Sequence, residues 1–246
     1  MDSTSLEPLI HGAGTPERAW LANPALHAID AISLEDLLRT RERLVIIAPH
    51  PDDEVLGAGG LMNTAARAER DVIVLSVTDG EKSHPEQDAN LLRAMRAQER
   101  DRAFKELGLL THQARRMALP DGAVTSHRQR LIELIEQVTR ASDLVLAPWV
   151  GDGHPDHEAC AEAARSAQQR VGFELLEYPV WGWHWCEPHQ FPYADALRFD
   201  LDEDAHLAKQ RAISMFRSQI DGLDQQPILT EGTLDRFRRP FEVFLR

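Results

Sequence analysis

The chain reads as an α/β protein: a three-layer sandwich in which helices cover both faces of a mostly parallel, Rossmann-like sheet. Two observations predict it. Short β-type apolar runs alternate with amphipathic stretches of ten or more residues, the pattern of right-handed βαβ units. Polar turns rich in Asp, His, Gly and Pro close each run, which is where open parallel sheets place their ligand-binding loops. In order, the strand at 44–48 precedes a helix at 54–69, and the strand at 72–77 precedes a helix at 90–107. A weaker strand at 115–119 leads to a helix at 126–140, and one at 144–147 leads to a helix at 157–170. A fifth strand is expected at 174–178, after which the alternation fades into an aromatic loop and a last helix at 203–216. Residues 1–40 mix Pro, Gly and His, with Leu34, Leu37 and Leu38 at helical spacing in a short stretch at 33–41; they read as an N-terminal extension to a single domain spanning 41–246.

Composition narrows the classes. With 43% hydrophobic and 27% charged residues over 246 positions, a sizeable core is available. Twenty-seven basic against 40 acidic residues give a net charge of −13, a field that repels phosphate backbones and excludes nucleic acid as an expected partner. Apolar runs fall far short of the roughly 20 residues a membrane span needs. The first residues lack a basic start and a long apolar stretch, and two cysteines, Cys160 and Cys186, make no disulfide framework, so a cytoplasmic setting is expected. Oligomeric state leaves no trace in the sequence.

The chemistry gathers after the strands. Strand one ends in Pro49-His50-Pro51-Asp52-Asp53-Glu54, strand two in Thr78-Asp79-Gly80-Glu81, strand three in Pro120-Asp121-Gly122 and strand four in Gly151-Asp152-Gly153-His154-Pro155-Asp156-His157. Acidic turns alone are ordinary helix-cap chemistry. HPDD after one strand and HPDH after another are not, because imidazole and carboxylate in converging loops are the ligand types of a divalent transition metal. A catalytic zinc wants three protein ligands and an open position; spacing alone does not choose the three among His50, Asp53, His154 and His157. The GxGG run Gly57, Gly59, Gly60 does not suit a dinucleotide, since carboxylates occupy the turn where a pyrophosphate would lie, and close helix packing is its expected role.

The segments PHPDDEVLGAGG, TDGE, PDG and HPDH, in this order, resemble the LmbE/PIG-L family of zinc-dependent N-deacetylases over about residues 44–220. Arg96-x-x-Glu99 and the stretch from Lys209 to Gln219 support the resemblance. It implies hydrolysis of the N-acetyl group of an N-acetylglucosamine-type conjugate, with a small-molecule amino sugar as partner and one Zn2+ per chain; Fe2+ or Co2+ also suit a His₂Asp set. By motif, His50, Asp53 and His157 would be metal ligands and Asp52 the general base. His154 would protonate the leaving amine or stabilise the oxyanion, made cationic by an acidic shell from Asp152 and Asp156, and Arg96 and Asp121 would contact substrate. Zinc lowers the pKa of bound water to about 7, which accords with amide hydrolysis. Arg96 and Glu99 also suit an intrahelical pair. Cys160 is expected to be a buried helical thiol, and His84, His112, His127, His189 and His206 surface residues. Trp181, Trp183 and Trp185 would share one face of an extended segment, as a ligand platform or as packing. A metal-dependent phosphoesterase and a non-catalytic carbohydrate-binding module are the alternatives.

Overall fold

The computed structural model describes residues 12–223 and 226–246. Three short helices come first, α1 (Glu17–Leu21), α2 (Pro24–His27) and α3 (Leu34–Leu38), followed by β1 (Arg43–Ala48), α4 (Asp53–Arg67), β2 (Asp71–Ser76) and α5 (Ala89–Glu106). Then come β3 (Ala114–Arg116), α6 (Arg128–Val138), β4 (Asp143–Pro148), α7 (Pro155–Val171), β5 (Glu174–Tyr178) and α8 (Gly182–Trp185). The chain closes with β6 (Ala196–Asp200), α9 (Glu203–Ile213), α10 (Arg217–Asp221), α11 (Glu231–Leu234) and β7 (Phe241–Leu245).

Among the described residues the seven strands form one sheet in the order β3-β2-β1-β4-β5-β7-β6, with β1 to β5 parallel. Alternate residues feed two cores, as the period of two requires. Leu44, Ile46, Val72, Val74, Leu144 and Leu146 face α4, α5 and α9, whereas Val45, Ile47, Ile73, Leu75, Val145 and Ala147 face α6 and α7. The strand order reverses between β1 and β4, and such a switch point opens a crevice beyond the carboxyl ends of the two strands.

The sheet extends past the five expected strands. β7 pairs antiparallel to β5 and β6 pairs antiparallel to β7, so the region expected to be an aromatic loop and one helix holds two further strands. The last helix also ends sooner, at Ile213, and α10 follows as a separate turn. Sequence periodicity hides this ribbon because its two strands are separated by forty residues of helix and loop and pair with each other rather than through a βαβ crossover.

The glycine run in α4 serves packing. A Cβ at Gly57 would lie 2.1 Å from the Tyr178 ring and one at Gly60 would lie 2.4 Å from Leu201. Between them the helix kinks at Ala58 (φ −141°, ψ 16°). The backbone N–H groups of Gly60 and Leu61 donate to Glu242 at 2.7 and 2.9 Å, and Lys209 neutralises that carboxylate at 2.7 Å. Residues before the sheet also pack into the main core: Trp20, Leu26 and Leu38 are fully buried, and Trp20 meets Trp183 edge-on at 4.8 Å. Residues 1–11 of the expected extension lie outside the described residues. Among those described, no helix is long and apolar enough to cross a membrane.

Candidate metal centre and active-site cavity

β1 and β4 are neighbours, so HPDD and HPDH leave the sheet side by side. Pro155 occupies the first turn of α7, where its missing N–H costs nothing, and His154 caps that helix with Nδ1 accepting the Asp156 N–H at 3.2 Å. Asp53 opens α4 directly after Asp52, whose φ of 145° is strained for a residue other than glycine.

Three ligand atoms converge. His50 Nδ1 and His157 Nε2 each lie 3.2 Å from Asp53 Oδ2 and 3.3 Å from one another. A tetrahedral ion with bonds of 2.0–2.1 Å separates its ligand atoms by about 3.3–3.4 Å, so this triangle fits zinc or an ion of its size. The remaining imidazole nitrogens meet carboxylates: His157 Nδ1 contacts Asp152 Oδ2 at 2.8 Å, and His50 Nε2 contacts Asp121 Oδ1 at 3.2 Å and Asp156 Oδ2 at 3.4 Å. Such partners fix the ring orientation of metal-binding histidines. His50, Asp121 and Asp156 are also close enough to form a second group of potential ligands. That group offers a single imidazole nitrogen, and Asp156 is already committed to the backbone N–H groups of Gly122 and Val124.

Around the triangle the electrostatics diverge. Burial pushes Asp52 up to about 7; Arg96 opposes the shift and Asp53 adds to it. Burial would lower His157, but the Asp53 charge and the Asp152 hydrogen bond outweigh it and bring the group to about 9. Burial would raise Asp53, yet His157 and His50 hold it well below the usual carboxylate range. His154 goes the other way: burial and the charges of His157 and His50 lower it to about 3. The acidic shell expected to make His154 cationic serves its neighbours, because Asp152 is spent on His157 and Asp156 on His50. Because Nδ1 accepts the Asp156 N–H, the ring proton of His154 is carried on Nε2.

Arg96, only 3% exposed, reaches Asp52 Oδ2 at 3.1 Å and donates to the carbonyls of Pro51 at 2.8 Å and Gly80 at 3.2 Å. A Cβ at Gly80 would sit 2.1 Å from that guanidinium, so the glycine of TDGE makes room for it. Glu99 does not pair with Arg96; it accepts from the backbone and hydroxyl of Ser218, both at 2.7 Å. A cavity of about 580 Å³ opens above the triangle, lined by His50, Asp52, Asp53, Asp121, Arg96 and His154 below and by residues 226–230 and Gly12 above.

Other expectations meet mixed outcomes. Cys160 is buried in α7. His84 is not a surface residue but 1% exposed, with Nδ1 against Ser83 Oγ at 3.1 Å. The three tryptophans do not line one face, because Asp152 accepts the N–H groups of Val180, Trp181 and Gly182 at 2.8–3.0 Å and winds the segment into α8. Trp183 then packs on Phe191, Trp185 stacks with Trp149, and Trp181 lines the cavity. Sequence reasoning missed Gln219, Lys82, Leu56 and 226–230 as cavity walls; the S-Q pair was the one visible signal.

A family model described as PIG-L, GlcNAc-PI de-N-acetylase, matches residues 45–168, half of the chain. The chain belongs to the PIG-L family. This PIG-L protein is 31% identical over 139 residues to a probable N-acetyl-alpha-D-glucosaminyl L-malate deacetylase 2 of Bacillus subtilis, a match covering 53% of the chain and 62% of that protein. It is 28% identical over 176 residues to a 1D-myo-inositol 2-acetamido-2-deoxy-alpha-D-glucopyranoside deacetylase of Kineococcus radiotolerans, covering 56% of the chain and 47% of that protein. The chain thus spans about half to three fifths of these relatives. In fold it resembles a conserved protein of Thermus thermophilus (TM-score 0.61, 24% identity, 82% of this chain and 93% of that one). It also resembles the N,N'-diacetylchitobiose deacetylase of Pyrococcus horikoshii (TM-score 0.58, 19% identity, 83% and 77%).

Proposed function

We propose that this PIG-L protein is a metal-dependent hydrolase that removes the N-acetyl group from an N-acetylglucosamine-type conjugate. The observation that carries the reading is the triangle of His50, Asp53 and His157 with Asp52 beside it. Those three residues would hold one divalent ion, zinc by size and donor set, which would polarise the amide carbonyl and acidify a bound water. The family membership and the relatives named for deacetylation of N-acetylglucosaminyl compounds support the substrate class.

Asp52, held by Arg96 and poised near neutrality, accepts the proton of the attacking water. The water oxygen bonds to the amide carbon, and negative charge develops on the carbonyl oxygen. His154, neutral with its proton on Nε2, donates a hydrogen bond to that oxygen; of the two roles implied by resemblance, oxyanion stabilisation is the one a neutral imidazole can perform. The C–N bond then breaks and Asp52 returns its proton to the departing nitrogen, giving acetate and a free amine. Arg96 acts through Asp52, and Asp121 acts through His50 while its second oxygen accepts the Lys82 N–H at 2.7 Å; both remain proposed substrate contacts as well. A two-metal phosphoesterase would want a bridging carboxylate, and the two potential ligand groups share an imidazole instead.

The test is a panel of N-acyl amino sugars, free, nucleotide-linked and lipid-linked, incubated with zinc-loaded protein and assayed for primary amine. Release of amine and acetate in equal amounts is expected from at least one N-acetylglucosamine conjugate. No release across the panel, with phosphate freed from the nucleotide-linked members, would move the site to phosphoester chemistry.

A further inference from the structure

Gln219 is 1% exposed and lines the cavity from α10. The direction of its amide follows from proton accounting. The single hydroxyl proton of Ser218 is given to Glu99 Oε2 at 2.7 Å. The 2.8 Å contact between Gln219 and Ser218 Oγ must then be an N–H donated by Gln219 Nε2 to the hydroxyl lone pair. A second, longer contact runs from Nε2 to Ser83 Oγ at 3.5 Å. Nε2 is thus engaged by Ser218 and, more weakly, by Ser83, which also lines the cavity, and the carbonyl oxygen is the end of the amide left without a protein donor. No described residue donates to it, and it is not among the sealed, orphaned polar atoms. Glu99, anchored on α5 one turn beyond Arg96, sets this orientation, so one helix carries both the residue that holds Asp52 and the one that aims Gln219.

We propose that Gln219 binds substrate, its carbonyl accepting a hydrogen bond from one hydroxyl of the amino-sugar ring. The inference rests on the amino-sugar reading above and deepens it. A fixed acceptor in a cavity discriminates well, because a ligand without the matching O–H leaves it desolvated and unpaired. Ser218 and Glu99 are positioning residues.

The experiment measures binding and turnover of methyl N-acetylglucosaminide and its 3-deoxy, 4-deoxy and 6-deoxy forms by zinc-loaded wild type and Gln219→Met, with metal content and melting temperature as controls for folding. Wild type should lose about 10- to 100-fold in kcat/KM on one deoxy form, and Gln219→Met should lose a similar factor on the parent sugar but nothing further on that deoxy form. Equal losses by the variant on parent and all deoxy sugars would overturn the contact. If Gln219→Met does not fold, Gln219→Asn, which withdraws the amide by one methylene, takes its place. Binding without turnover by wild type would sink the deacetylase reading while leaving this one to the same comparison in affinities. Neither binding nor turnover would sink both.

Discussion

Asp152 Oδ2 sits 2.8 Å from His157 Nδ1, and both side chains are fully buried. The same carboxylate receives three backbone N–H groups at the start of α8, so its position is set by the fold and it turns the imidazole toward Asp53. Replacing Asp152 by Asn keeps the volume but puts an amide N–H where an acceptor is needed. Metal affinity should fall about 10- to 100-fold, read by competition with a chelator. Unchanged affinity would show that His157 needs no such partner.

The ligands themselves should matter more. Asp53→Ala or His157→Ala leaves two donors and no tetrahedral frame, so tight metal binding should be lost altogether. A full metal equivalent by elemental analysis in either variant would remove that residue from the ligand set.

Asp52→Asn should retain metal and fold yet lose about 100-fold or more in turnover, the scale of a general base. Near-normal amine release from this variant would end the proposed role. Because burial raises Asp52 to about 7, wild-type activity should rise with pH through the neutral range as the carboxylate ionises.

His154→Ala should also cost about 100-fold in turnover with metal content unchanged, the effect of deleting one oxyanion donor. Since His154 Nδ1 accepts the Asp156 N–H and leaves only the Nε2 proton to donate, the shape of the pH profile should survive the substitution. Disappearance of an alkaline limb in His154→Ala would mean that the imidazole works as a cation after all.

Stability of the metal-free protein should depend on pH through Glu54. Burial raises this carboxyl to about 8 from an ordinary 4.5, so the folded state binds the proton more tightly. Its stabilising contribution is complete below about pH 4.5 and is lost as pH rises through about 8. Glu54→Gln should flatten the fall in melting temperature over that window; an identical slope in wild type and variant would assign the fall to other groups.

How much of this was legible beforehand depended on whether a residue's partner was near in sequence. HPDD and HPDH pointed to one shared site because strands alternating with helices bring their loops to one edge, and Gly57 and Gly60 read correctly as packing residues. Partners distant in sequence stayed hidden. Arg96 and Glu99 look like an i,i+3 pair until Asp52 and Ser218 are seen to hold them apart. The acidic residues around His154 suggest a cation until Asp152 and Asp156 are found facing other imidazoles. Trp181 to Trp185 read as extended because the carboxylate that winds them into a helix arrives from a different loop.

The proposed ligands, base and oxyanion donor all fall within residues 45–168, the stretch the PIG-L model matches. The cavity's outer wall is made of Gly12 and residues 226–230, and Arg236 ties residues at positions 13 and 15 to the far end of the chain, across 223 positions in the case of Ala13. Part of the cavity that would select a substrate thus comes from outside the matched stretch, whereas Arg96 and Asp121, also proposed substrate contacts, lie within it. Substitutions in either segment should alter which molecules the proposed hydrolase admits while the metal triangle stays intact, and a graft of those two segments between homologues should carry selectivity with it.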